Sequence, residues 1–219
     1  MKHIKLLQTL YRHRSLGYRY FDDVESASFS SSDTSDMPSS LTELQTYIGD
    51  CSLCNLSKSR KHIVFGEGSL DADIMFVGEG PGEMEDNSGR PFVGRAGQLL
   101  DRIIQNVLML NREDVYIANI VKCRPPANRA PTEEEAEKCK PFLIKQIEIV
   151  KPKIIIALGA TSYSYLTGDM SGKISRVRGE MMNFGSSKLM PTFHPSYLLR
   201  NPSAKKEVMS DMLKVKAIL

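Results

Sequence analysis

From residue 41 onward the chain alternates short, largely apolar runs with longer segments whose apolar residues recur every three or four positions. The runs 73–77, 115–120, 154–158 and 189–193 are too short for helices and are rich in Ile, Val and Phe, so they predict buried strands. Residues 96–110 place Leu99, Leu100, Ile103, Val107 and Leu110 on one helical face. Helices are also predicted over 41–48, 132–150, 160–166 and 202–218. The helix over 132–150 opens with Thr132 and Glu135 in capping-box spacing. Strands alternating with helices predict an α/β fold, a three-layer α/β/α arrangement around a central, mainly parallel, four-stranded sheet. Ligands of such sheets collect beyond the carboxyl ends of the strands, which points to the loops after Val77, Asn119 and Phe193.

The first forty residues follow another pattern. Residues 1–20 carry Lys2, Lys5, Arg12, Arg14 and Arg19 and no acid, and predict a short basic segment. Residues 21–40 are acidic, hold no Lys or Arg, and are about half Ser between 26 and 40. Such a stretch buries too little apolar surface to offset its ordering entropy and reads as a disordered linker. The globular unit is therefore expected over 41–219. No apolar run approaches the ~18–20 residues that span a bilayer, so no membrane association is expected. The chain of 219 residues carries a net charge of +3, and residues 172–219 contribute nine Lys or Arg against three acids. A basic C-terminal quarter favours nucleic acid as a partner.

The loop after Val77 reads Gly78-Glu79-Gly80-Pro81-Gly82-Glu83-Met84-Glu85-Asp86. Its glycines permit a sharp turn and close approach to a ligand, whereas its carboxylates would repel phosphate. It matches neither a dinucleotide fingerprint nor a Walker loop, and suits a cationic group or a water. Phe92, in the Gly- and Pro-framed continuation, is either a stacking platform for a planar ligand or a core plug. Asn119, at a strand end, is either a turn former or a two-point reader of a nucleobase edge. Its amide can donate to O4 of uracil and accept from N3–H, and cytosine reverses both polarities. After the last strand, His194 can donate to a developing oxyanion and Ser196 to a phosphate, while Leu198 and Leu199 can form an apolar wedge beside Arg200.

Four cysteines in a chain of this length do not make a disulfide framework, and a reducing cytoplasm is the expected compartment. Cys51 and Cys54 form a chelating pair, with Cys123 and Cys139 more widely spaced. Four thiolates in that pattern suit either zinc or an iron–sulfur cluster, in a structural role.

Together these motifs resemble the family 4 uracil-DNA glycosylases, the thermostable type carrying a [4Fe–4S] cluster. The resemblance runs from about residue 41 to the C-terminus. It rests on Gly78-Glu-Gly-Pro-Gly82, Ser88-Gly-Arg-Pro-Phe-Val-Gly94, Asn119-Ile-Val-Lys-Cys-Arg-Pro-Pro126, Ala157-Leu-Gly-Ala160 and His194-Pro-Ser-Tyr-Leu-Leu-Arg200. It implies a uracil-DNA glycosylase-like sheet and a monomeric DNA-repair enzyme that hydrolyses the N-glycosidic bond of uracil, leaving an abasic site. It also implies that Cys51, Cys54, Cys123 and Cys139 hold the cluster. Glu79, Gly80 and Pro81 would line the uracil pocket, with Glu79 near the water and the sugar. Glu85 would lie beside the base, Phe92 would stack on it, Asn119 would read its edge and His194 would face O2. Among the carboxylates Glu79 is the expected leader, with Glu85 and His194 also catalytic. Ser196 and Arg200 would hold phosphates, and Leu198 or Leu199 would fill the gap left by the flipped base. One relative traps the abasic site covalently through a His in an insertion after the third Cys; residues 124–131 have neither His nor insertion. The competing expectation is a non-catalytic iron–sulfur module that binds DNA or a nucleotide.

Overall fold

The computed structural model describes residue 34 and residues 36–219. The basic segment 1–20 and most of the 21–40 linker lie outside the described residues. The described end of the linker is packed: the Thr34 hydroxyl donates to Glu148 at 3.1 Å, and Met37 lies against the core.

The sheet has six strands, β1 (Glu67–Gly68), β2 (Ile74–Gly78), β3 (Tyr116–Asn119), β4 (Ile154–Leu158), β5 (Met182–Phe184) and β6 (Ser187–Thr192). Their order is β1-β3-β2-β4-β6-β5. The inner four are parallel, as their apolar character predicts. The expected count of four is corrected by two antiparallel edge strands, β1 on β3 and β5 on β6. Both are two or three residues long, half exposed and without an apolar run, so they leave little periodic signal.

The helices are α1 (Leu41–Tyr47), α2 (Glu83–Ser88), α3 (Arg95–Ile103), α4 (Glu133–Val150), α5 (Gly159–Thr167), α6 (Ile174–Val177), α7 (Pro195–Arg200) and α8 (Lys205–Lys216). Alternation along the strands sends side chains to two cores. Met75, Val77, Ile155 and Ala157 meet α1, α4 and α5 on one face. Ile74, Phe76, Ile154 and Ile156 meet α3 and α8 on the other. The three predicted layers are therefore present. At α4 the capping box closes, Thr132 N–H donating to Glu135 at 2.8 Å and the Thr132 hydroxyl accepting from Glu135 N–H at 3.3 Å. The predicted helix 202–218 instead begins as a 3₁₀ turn, Pro202–Ala204, before α8. Among the described residues no helix is long and apolar enough to cross a membrane.

Leu100 is fully buried in the second core. Leu100→Ala should cost about 2–5 kcal/mol, read as a lower denaturant midpoint with an unchanged slope.

Candidate active site

The four parallel strands end on one side of the sheet, at Gly78, Asn119, Leu158 and Thr192. The segments that follow them enclose an open cleft of about 930 Å³. Glu79, Gly80, Pro81, Glu85, Phe92, Asn119, His194, Ser196 and Arg200 all line it.

Phe92 and Asn119 meet over Gly78. A Cβ on Gly78 would lie 2.3 Å from Asn119 Oδ1 and 2.6 Å from Phe92 Cζ, so only glycine admits both side chains. Asn119 is buried, and its Oδ1 has no hydrogen-bond partner. Leaving a buried acceptor unmade costs about 1–3 kcal/mol. Its backbone is anchored from behind: the buried Lys122 Nζ donates to Asn119 O at 2.9 Å and to Gln146 Oε1 at 2.6 Å. Burial holds Lys122 down to about 8, an effect partly offset by the nearby Cys139 and Cys123 sulfurs.

Phe92 adopts φ +51°, a left-handed conformation uncommon for an aromatic residue. Two clamps hold it there. Arg112 donates to Pro91 O at 2.5 Å and to Phe92 O at 3.3 Å. From the other side, Glu85 Oε1 accepts from Val93 and Gly94 N–H at 2.9 and 2.8 Å. The Phe92 ring lies 5.7 Å from that of His194, at 34°.

The three carboxylates expected at the first loop divide sharply. Glu85 lines the cleft, but its second oxygen accepts from Gly82 N–H at 3.1 Å, so both oxygens serve backbone amides. Asp86 is buried and accepts from Lys61 N–H at 2.8 Å. The Glu79 carboxylate accepts from the Thr161 hydroxyl at 2.5 Å, and among the described residues Thr161 is the one donor to that carboxylate.

The segment after β6, expected as a loop, is helical. His194 caps α7, with Pro195 at the first helical position. Ser196 N–H donates to His194 Nδ1 at 3.1 Å, so Nδ1 is an acceptor and the neutral ring carries its proton on Nε2. Burial, and then the Arg200 charge, push His194 down to about 4, with Glu85 opposing. Within that helical turn the two leucines of the expected wedge part: Leu198 is 1% exposed and packs into the second core, whereas Leu199 faces solvent.

A family model described as the uracil DNA glycosylase superfamily matches residues 65–215. The chain belongs to that superfamily. A type-4 uracil-DNA glycosylase of Thermotoga maritima is 51% identical over 172 residues, covering 77% of this chain and 89% of its own length. Its counterpart in Saccharolobus solfataricus is 50% identical over 176 residues, covering 77% and 82%. That of Sulfurisphaera tokodaii is 42% identical over 186 residues, covering 82% and 84%.

In this superfamily member the four cysteines are free of disulfides and line one cavity of about 340 Å³ beside α1 and α4. Lys122 N–H donates to Cys139 Sγ at 3.3 Å and Arg60 to Cys123 Sγ at 3.5 Å. Burial pushes the Cys139 thiol up to about 12 and raises Cys123, against the pull of Arg60. Among the described residues no three His, Cys, Asp or Glu side chains stand close enough to share a single metal ion. Four soft donors around one cavity, two of them receiving N–H bonds, are a donor set of the kind that holds a thiolate-bound metal group. Arg112 and Thr161 escaped the sequence reading, since neither lies in a Gly-rich or His-bearing motif; Thr161 directly follows Ala157-Leu-Gly-Ala160. Pro125, Asn128 and Arg129 also line the cleft, from the segment noted only for lacking His.

The His194 ring should ionise near 4 rather than near its ordinary 6.5. Between those values the unfolded chain binds the extra proton, so this residue's contribution to stability is complete above about 6.5 and falls as the pH drops toward 4. Imidazole NMR titration checks the value, and His194→Gln should flatten stability against pH in that window.

Proposed function

We propose that the chain hydrolyses the N-glycosidic bond of uracil in DNA, leaving an abasic site and free uracil. Its membership of the uracil DNA glycosylase superfamily and its likeness to type-4 enzymes support the activity. The observation that carries the reading of this site is the unpartnered, buried Asn119 Oδ1 facing the Phe92 ring across Gly78.

Uracil must leave the stack to reach such a cleft, at a cost of a few kcal/mol. Phe92 then stacks on the base. Asn119 Oδ1 accepts from N3–H while its amide donates to O4, satisfying an acceptor that is otherwise unmade. Cytosine presents a lone pair at N3 and an amino group at position 4, so both contacts fail. As the bond to the sugar breaks, negative charge grows on the base and positive charge on the sugar. His194, neutral with its proton on Nε2, donates to O2 without bringing a positive charge into the cleft. Glu79, whose carboxylate is the one not consumed by backbone amides, faces the sugar, stabilises its positive charge and orients the water. Glu85 holds the Phe92 loop rather than entering the chemistry. Ser196 and Arg200 hold phosphates, and Leu199 is the member of the apolar pair able to enter the duplex. The site is complete within one chain, which supports action as a monomer.

Cys51, Cys54, Cys123 and Cys139 would hold a [4Fe–4S] cluster that supplies a structural tie between the N-terminal segment and the strand bearing Asn119. Free thiols suit a reducing compartment such as the cytoplasm.

Incubation with uracil-containing oligonucleotides followed by alkali should give strand scission at uracil, and well-folded protein that gives none defeats the reading. Asn119→Asp should narrow the preference for uracil over cytosine by at least about tenfold, as one hydrogen bond to uracil becomes a repulsion. For the cluster, metal analysis should find iron bound, and a Cys139→Ser variant should lose both the brown visible absorbance and thermal stability. A colourless protein with one zinc would exclude it.

A further inference from the structure

We propose that Thr161 is a positioning residue for Glu79, fixing the carboxylate that faces the sugar. This rests on the reading of Glu79 given above.

Glu85 and Asp86 are oriented by backbone amides, whereas Glu79 depends on a single side-chain donor from another element. The Glu79 backbone is already fixed, its carbonyl accepting from Val121 N–H at 3.2 Å. What remains free is side-chain rotation into an open space, because Glu79 stands at the junction of the base cleft and a neighbouring cleft of about 1070 Å³. Thr161 lines the same neighbouring cleft. It sits in the first turn of α5, which starts at Gly159, directly after β4, with φ +90°. A rigid strand-to-helix junction therefore supports the donor.

The direction of the hydroxyl is informative. On the same helix Ser162 and Thr167 turn their hydroxyls back to carbonyls four residues earlier, Leu158 O at 3.0 Å and Tyr163 O at 2.8 Å. Thr161 instead donates across 82 positions of sequence to Glu79 Oε2. Its β-branch restricts χ1, which stiffens the donor. The donor is also neutral. A Lys or Arg in its place would orient the carboxylate but cancel the negative charge that an oxocarbenium-like sugar needs. One oxygen is thus held while the other is left for water and sugar.

The test uses cluster-loaded, full-length protein and a single-stranded uracil oligonucleotide. Thr161→Val preserves shape and removes the donor. It should lower the single-turnover excision rate about 10–100-fold while leaving affinity for an oligonucleotide bearing a non-hydrolysable 2′-fluorinated uracil nucleotide unchanged. Thr161→Ser should restore most of the rate, and Glu79→Gln combined with Thr161→Val should be no slower than Glu79→Gln alone. Thr161→Ala gives the same reading should the valine variant fold poorly. A wild-type rate in Thr161→Val beside a slow Glu79→Gln overturns the positioning role alone. So does a loss of affinity equal to the loss of rate, or a serine variant as slow as the valine. A Glu79→Gln as fast as the wild type overturns the assignment of Glu79 itself.

Discussion

The cleft depends on how closely backbone and side chains approach at the end of β2. Asn119, from the end of β3, and Phe92, from the loop before α3, occupy the volume that a Cβ of residue 78 would need. The same economy recurs behind them: a Cβ on Gly97 would strike Phe92 O at 1.7 Å, and one on Gly80 would lie 2.7 Å from the Val121 side chain. Three glycines without side chains thus allow a planar slot to form between a strand end and two loops. Regular parallel pairing of β2 with β3 and β4 supplies the rigidity against which so tight a contact can be maintained.

Around that slot, polar groups are either satisfied by protein or left for a ligand, with little between. Glu85 accepts three backbone N–H bonds and Asp86 is tied to the Lys61 amide, which makes both part of the wall. Arg112 pairs with Glu67 and Asp101 while gripping the Phe92 loop. This division explains how four acidic residues within eight positions serve different ends. Held in place by so many fixed donors, Phe92 keeps a backbone conformation that its own preferences disfavour, as strained residues at ligand sites commonly do.

The cysteine cavity and the cleft share a wall. Lys122 lines the cavity, offers its amide to Cys139, and reaches with its ammonium to the carbonyl of Asn119. Gln146, from α4, completes the link with bonds to Phe65 O and the Tyr116 hydroxyl. A group held by the four thiols would therefore brace the very strand end whose amide faces the cleft. That is a structural use of the thiols, in keeping with their distance in sequence from the carboxylates.

The inner strands, the long helices and the capping box at Thr132 were legible in the sequence because each is a local pattern: an apolar run, a 3.6-residue period, a cap three residues from its partner. The loops that line the cleft were legible too, since glycine and proline mark turns wherever they stand. What the chain could not announce were facts of direction and pairing. Leu198 and Leu199 are chemically alike, and only the turn of α7 buries one and exposes the other. Three carboxylates look equivalent until backbone amides from residues 61, 82, 93 and 94 claim two of them. The short edge strands, the grip of Arg112 and the hydroxyl of Thr161 likewise arise from contacts between residues tens of positions apart. Local preference determines elements, and long-range packing decides which atoms remain free to react.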